Sequence, residues 1–305
     1  MVNKQKTLSQ FWARVFCFPE NLFFIFPGAI SRYFKGLRYI WNGNCILYSM
    51  RKIFFILAFL ALAEVSAQTP AYQAGEWFKF RIHYGWFNAS FATLEVEEAE
   101  LRGKQVYHIK GHGESTGLLD LFFKVDDTYR TYIDPKTGLP MRFFRDINEG
   151  GYKKNRRIDF DHQTNMAVVT DYLKKTTNTF KIENEVQDML SVFYFLRNKI
   201  NDTTLKPGDE IEVNMFFDDE NYRFRSKYLG EEILSTQFGK VKSLKFRPYV
   251  QSGRVFKEKE SLTFWVTADK NKAPIKVKAK LAVGSLEADL ISFKGLKHPF
   301  EIIMN

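Results

Sequence analysis

The chain has 305 residues, with 45 Lys and Arg against 35 Asp and Glu, a formal charge of +10 and 16% aromatic residues. Its cysteines, Cys17 and Cys45, both precede a segment that reads as a secretory leader, so the part expected to be exported has no disulfide framework and no thiolate metal site. Residues 1–67 also hold eight of the Lys/Arg and two of the acids, leaving 37 against 33 and a net charge of +4, which removes most of the apparent nucleic-acid signal.

The leader pattern begins at Met50-Arg51-Lys52, a short basic start followed by the apolar run Ile53–Ala63. Val65 and Ala67 then stand where signal peptidase reads small residues, which predicts cleavage before Gln68. The apolar run is shorter than the roughly 20 residues that cross a bilayer, which argues against a retained anchor. No cysteine follows it, which argues against a lipid-anchored lipoprotein. Because a leader opens its chain, translation is expected to start at Met50, with residues 1–49 an upstream extension or, alternatively, a long presequence. The expected product, residues 68–305, is long enough to bury a core without covalent staples.

From Gln68 onward, period-two alternation dominates. Phe78, Phe80, Ile82 and Tyr84 alternate with Lys79, Arg81 and His83; Ile211, Val213, Met215 and Phe217 with Glu210, Glu212 and Asn214; Ile275, Val277, Ala279 and Leu281 with Lys276, Lys278 and Lys280. Such strands suit antiparallel sheet with one dry face and one wet face. Turn chemistry separates them at Arg102-Gly103, Asp134–Gly138, Asp161–Asn165, Lys206–Asp209, Asp218–Asn221, Ser252-Gly253 and Asp269–Asn271. One helix is expected over about 185–200, capped by Asn184 with Gln187 three residues on, its apolar stripe formed by Met189, Phe193, Leu196 and Ile200. The fold class is therefore all-β: a large curved antiparallel sheet or open barrel with one packed helix. Two halves, about 72–183 and 205–300, show matching signals: Gly75 lies 65 positions before Pro140, and Gly208 lies 66 before Pro274. An internal duplication explains this, and so do two hairpins sharing common turn chemistry.

Gly75-Glu76, Tyr84-Gly85, Ser115–Asp127, Glu149-Gly150-Gly151-Tyr152, Gln187–Ser191, Pro207-Gly208 and Val283-Gly284-Ser285 together resemble the bacterial family called domain of unknown function 3108. The resemblance covers nearly all of residues 72–296. It implies an exported β-rich protein and supplies no activity or catalytic residue. The segment Tyr132–Arg142 is similar to a hairpin of periplasmic lipoprotein carriers, open barrels around a hydrophobic cavity. That is a likeness of fold alone.

Chemical signals are sparse. His108, His112 and Glu114 share one strand face, but four residues of strand span roughly 13 Å, too far for one metal ion without a bulge at Gly111 or Gly113. Asp126 and Asp127 point to opposite faces, so they do not form a glycosidase pair with each other. The motifs of serine hydrolases, zincins and phosphate-binding loops are absent. The basic run Lys153–Arg157 suits an anionic lipid, a polysaccharide or simply water. Paired aromatics such as Phe122-Phe123, Phe143-Phe144 and Phe264-Trp265 place one ring on each face, so either both faces are covered or some rings line a concave site. Phe122, Phe123, Phe143, Phe193, Phe195 and Trp265 are the candidate ligand-binding residues, and Asp126, Asp127, His108 and His112 a candidate polar site. No catalytic residue, metal or cofactor is assigned. The expected role is non-enzymatic binding of a hydrophobic molecule (a lipid) or glycan of the envelope, or a part in envelope assembly, in the periplasm or otherwise exported, without nucleic acid and without membrane integration after leader cleavage. The alternative is an envelope polysaccharide hydrolase using acidic residues.

Overall fold

A computed structural model describes residues 70–304 apart from 118, 119, 121, 202, 250–261 and 282. The leader pattern, residues 1–49 and the turn at Ser252-Gly253 lie outside the described residues. Eight strands come first: β1 (Trp77–Tyr84), β2 (Phe87–Leu101), β3 (Lys104–Ser115), β4 (Asp126–Ile133), β5 (Pro140–Glu149), β6 (Tyr152–Asp161), β7 (Met166–Asp171) and β8 (Thr176–Lys181). A helix, α1 (Ser191–Lys199), follows. Six more strands complete the chain: β9 (Glu210–Phe217), β10 (Glu220–Thr236), β11 (Gly239–Pro248), β12 (Leu262–Thr267), β13 (Pro274–Lys280) and β14 (Ser285–Lys294).

All fourteen strands form one sheet in the order β8-β7-β6-β5-β4-β3-β2-β1-β14-β13-β12-β11-β10-β9. Two meanders are thus joined where the first strand pairs with the last. The alternation read from the sequence sets the faces. Phe78, Val96, Ile109, Ile133, Phe143 and Ile158 occupy the inner face and are buried, each worth about 1.5–3 kcal/mol. The two outermost strands do not pair with each other. Instead the segment after β8 covers the open edge of β9: Gln187 N–H donates to Asn214 O at 2.8 Å, and Phe216 N–H donates to Gln187 O at 3.0 Å. Covering the edge in this way leaves β9 a poor template for pairing with another chain.

The helix is shorter than expected and starts later. Asn184 and Gln187 precede it, and its actual cap is Asp188. The Asp188 Oδ1 accepts the N–H groups of Leu190 and Ser191 at 2.8 and 2.9 Å, while Asp188 N–H donates to Ser191 Oγ at 2.8 Å. Gln187 cannot begin a helix because its backbone is committed to β9. Of the expected apolar stripe, Leu196 and Ile200 are buried and Met189 and Phe193 are not. Met189 is exposed and Phe193 half-buried, whereas Val192, Tyr194, Leu196 and Arg197 are buried. The reason is that α1 sits between two surfaces rather than on one. Val192 and Leu196 join Val213 and Met215 of β9, Tyr194 joins Val96, Ile109 and Ile133 on β2–β4, and Ile200 joins Leu244, Phe246 and Val266. Gly111 makes room for this packing, since a Cβ there would lie 3.3 Å from Leu190 and Leu94 side-chain carbons.

The runs β1–β6 and β9–β14 share detailed features. Gly75 N–H donates to Val96 O and Val96 N–H to Glu76 O; Gly208 N–H donates to Tyr228 O and Tyr228 N–H to Asp209 O. Both glycines have positive φ, +88° and +106°, which is why the position suits glycine. Between β4 and β5 the register shifts at Tyr132/Ile133, opposite Pro140; between β12 and β13 it shifts at Trp265/Val266, opposite Pro274. A proline gives no N–H to the ladder, so a bulge opposite it is the expected accommodation.

Candidate functional site

The candidate aromatic residues do not converge. Phe143 is inner core, packed with Ile158, Phe160 and Phe216. Trp265 faces the other way, donating Nε1–H to Glu232 at 3.0 Å beneath the Lys245 ammonium. Phe122 and Phe123 lie in the connection between β3 and β4 and are exposed. Phe193 and Phe195 are half-buried on α1, with a Phe195 ring carbon 3.7 Å from where a Cβ on Gly138 would lie. Phe143 and Trp265 therefore lie on opposite faces of the sheet.

The polar candidates divide in the same way. Asp127 points inward and is buried, accepting Asn148 N–H at 3.0 Å. Its carboxyl also shares a hydrogen bond with Glu149, which together with burial raises the Glu149 pKa. Asp126 points outward, exposed near His112. Strand β3 pairs with both neighbours without a bulge, so His108 and His112 stay apart. His108 stacks on Tyr132 with ring centroids 4.2 Å apart, and burial, reinforced by Lys110, pushes its pKa down to about 4. It is a neutral packing residue across the ordinary pH range.

The basic run is also split by parity. Lys154 and Arg156 turn inward and reach the acids between β9 and β10: Lys154 Nζ lies 2.7 Å from Asp218 and Arg156 2.7 Å from Asp219. Arg157 turns outward to Asp159 at 2.8 Å. Those inner pairs, with Arg145 of β5 2.9 Å from Asp218, fasten the β9–β10 turn to β5 and β6.

One buried pair escaped the sequence reading. Arg197 of α1 holds the Glu76 carboxylate through two bonds of 2.5 and 2.8 Å, and also donates to the carbonyls of Asn271 and Ala71. Both side chains are fully buried, 1% and 0% exposed, among the rings of Tyr72, Phe78 and Tyr194. The available signal was a lone arginine on the otherwise apolar side of a short helix.

Among the described residues one group of metal-type ligands converges, His83, Glu287 and Asp289. The Lys276 ammonium already sits between the two carboxylates, 2.5 and 3.0 Å away, and Lys278 adds a second cation at 2.7 Å from Glu287. Burial would raise the Glu287 pKa, but these bonds outweigh it and hold it at about 2. The cluster is therefore a neutralised ion network.

Two clefts remain. One, of about 470 Å³, runs along Arg81, Lys276, Asp289 and Leu234; its charges are mutually paired and Gln237 Nε2 donates to Ile291 O across it. The other, of about 380 Å³, opens at the end of the sheet carrying the β2–β3, β4–β5 and β6–β7 connections. Leu139, Met141 and Phe160 supply its apolar side, and Arg102, Lys104 and His162 are among the groups at its rim. Its acids, Asp134 and Asp161, accept N–H groups of their own turns.

Compared with known families, residues 79–291 match the model described as "protein of unknown function (DUF3108)". The chain belongs to that family. Among curated proteins none matches. Solved structures similar in part to this DUF3108 protein include the following three. A β-barrel-like DUF1849 protein from Brucella abortus shares 10% identity at a TM-score of 0.47, covering 72% of this chain and 96% of its own. A DUF1089 protein from Pseudomonas aeruginosa shares 11% at 0.34, covering 61% and 88%. A candidate lipoprotein from Parabacteroides distasonis shares 12% at 0.27, covering 74% and 99%. Among the described residues of this DUF3108 protein, no helix is long and apolar enough to cross a membrane.

Proposed function

We propose that this DUF3108 protein is an exported envelope protein that binds an amphipathic molecule without transforming it. The observation that carries this reading is the cleft of about 380 Å³, with Leu139, Met141 and Phe160 along it and polar groups at its rim. That volume falls within the range of small-molecule sites. An apolar tail would lie along the three hydrophobic residues while a polar head stays at the rim beside Arg102 and Lys104. Phe195 of α1, near Gly138, borders the same end of the sheet. The test is titration with a fluorescent polyene fatty acid, displaced by unlabelled lipids and by envelope glycans. Met141→Trp, which fills the cleft, should weaken lipid binding about ten-fold, the equivalent of some two methylene groups. Unchanged affinity would remove the cleft from consideration. Glycan turnover that disappears in Asp127→Asn would replace the proposal with a hydrolase.

The export part of the proposal rests on the leader pattern around Ile53–Ala67. N-terminal sequencing of protein isolated from its own cells should begin at or near Gln68; material retaining residues 1–49 would refute it. The shared glycine contacts and proline-facing bulges of β1–β6 and β9–β14 support the further reading that one six-stranded unit was duplicated.

A further inference from the structure

The two ends of the sheet differ in character. Turns at the cleft end are polar, as in Arg102-Gly103, Pro135-Lys136-Thr137 and His162-Gln163-Thr164. The opposite end carries the β1–β2, β3–β4, β5–β6, β7–β8 and β13–β14 connections, because the strands alternate in direction along the order of the sheet. Of the fifteen exposed large apolar side chains among the described residues, ten lie at that end. Trp86 is 93% exposed at the tip of the first hairpin, Phe122 84%, Val283 77%, Tyr152 55%, Leu173 54% and Leu281 46%. A monomer surrounded only by water gains nothing from this concentration, which is the usual mark of an interaction surface.

We propose that this end of the sheet docks on a lipid bilayer, its hairpin tips entering the headgroup region. Three features favour a bilayer over a protein partner. First, the apolar residues project from five connections that touch, among the described residues, only in pairs, Tyr84 with Val283 and Phe123 over Gly150, and a fluid interface accepts such separate projections without matching pockets. Second, Trp and Tyr are among them, and these rings prefer the boundary between headgroups and acyl chains. Third, Lys124, Lys153, Lys174, Lys175 and Lys280 are exposed on the same connections or strand ends, and none has a carboxylate partner among the described residues. Lysines in that position can meet lipid phosphates while the rings insert. The acids of the β9–β10 turn at this end, Asp218 and Asp219, are neutralised by Arg145, Lys154 and Arg156. This surface is remote from the cleft, so it stands independently of the ligand proposed there.

The test is flotation of the protein, as isolated from its own cells, with vesicles of phosphatidylethanolamine and phosphatidylglycerol. Binding is expected, and Trp86→Ser combined with Leu173→Ser should weaken it about ten-fold or more. Both side chains are exposed, so the variant should keep the parent's circular dichroism and melting temperature. A control pair at other exposed positions, Ile302→Ser with Met304→Ser, should leave vesicle binding unchanged. Lys174→Gln with Lys175→Gln should weaken binding to these vesicles more than to neutral phosphatidylcholine. The proposal fails if the parent ignores vesicles, if the tip variant binds as well as the parent, or if the control pair weakens binding equally. It also fails if Trp86→Ser instead breaks a dimer of the parent in solution.

Discussion

Arg197→Met should destabilise the protein by about 3–5 kcal/mol, because removing one partner of a buried ion pair leaves the other charge uncompensated in the interior. The Glu76 carboxylate, 0% exposed, would lose both guanidinium bonds, and the carbonyls of Asn271 and Ala71 would lose their donor. Arg197→Lys should rescue little, since one ammonium cannot reproduce a planar fork that serves a carboxylate and two carbonyls at once. Combining Glu76→Gln with Arg197→Met should recover part of the loss, because the stranded charge is then gone, and the double-mutant cycle isolates the coupling. Urea melts of the four proteins measure it. A loss below about 1 kcal/mol in Arg197→Met, the range usual for surface substitutions, would show that water reaches the pair. The pair also matters for how the chain is held together. It joins the entry to β1, the helix and the β12–β13 turn, so its loss should loosen α1 and with it the placement of Phe195 near Gly138 beside the cleft.

Asp188→Asn should stabilise the protein at neutral pH and flatten its stability between about pH 4 and pH 6. Burial pushes the Asp188 carboxyl up to about 6, against the opposing pull of its bonds from Thr131, Ser191 and Leu190. The unfolded chain releases this proton near the ordinary value of 3.8. Between those two values the folded state binds more protons than the unfolded state, so stability falls as pH rises and levels off above about 6. The difference is on the order of 3 kcal/mol over that window. Asparagine carries no charge to desolvate, keeps an oxygen for the Leu190 and Ser191 N–H groups, and can donate to Thr131 Oγ1 in place of accepting from it. Chemical denaturation of both proteins at a series of pH values checks this. If Asp188→Asn lowers stability at pH 7, the carboxylate is charged and favourable in the fold.

Much of the architecture was legible because it depends on neighbours in sequence. Strand parity follows from residue spacing, so the inward Phe78 and Phe80 and the outward Lys276 could be read from alternation. Turns at Arg102-Gly103 and Asp134–Gly138 are local backbone chemistry, and both occur where the strands reverse. The bulges opposite Pro140 and Pro274 reflect a missing N–H, again a property of a single residue.

What the sequence alone could not decide depends on which distant segments meet. Nothing near Glu76 marks it as the partner of Arg197, 121 positions away. Asn184 and Gln187 form a good local helix start, yet the bare edge of β9 takes the Gln187 backbone and moves the cap to Asp188. Phe193 matches the helical stripe, but two packing surfaces make Tyr194 and Arg197 the buried residues. The cleft beside Leu139 and the apolar tips around Trp86 arise in the same way. Local pattern assigns each side chain to a face and each turn to a position, while the curvature and order of the sheet decide which turns share an end.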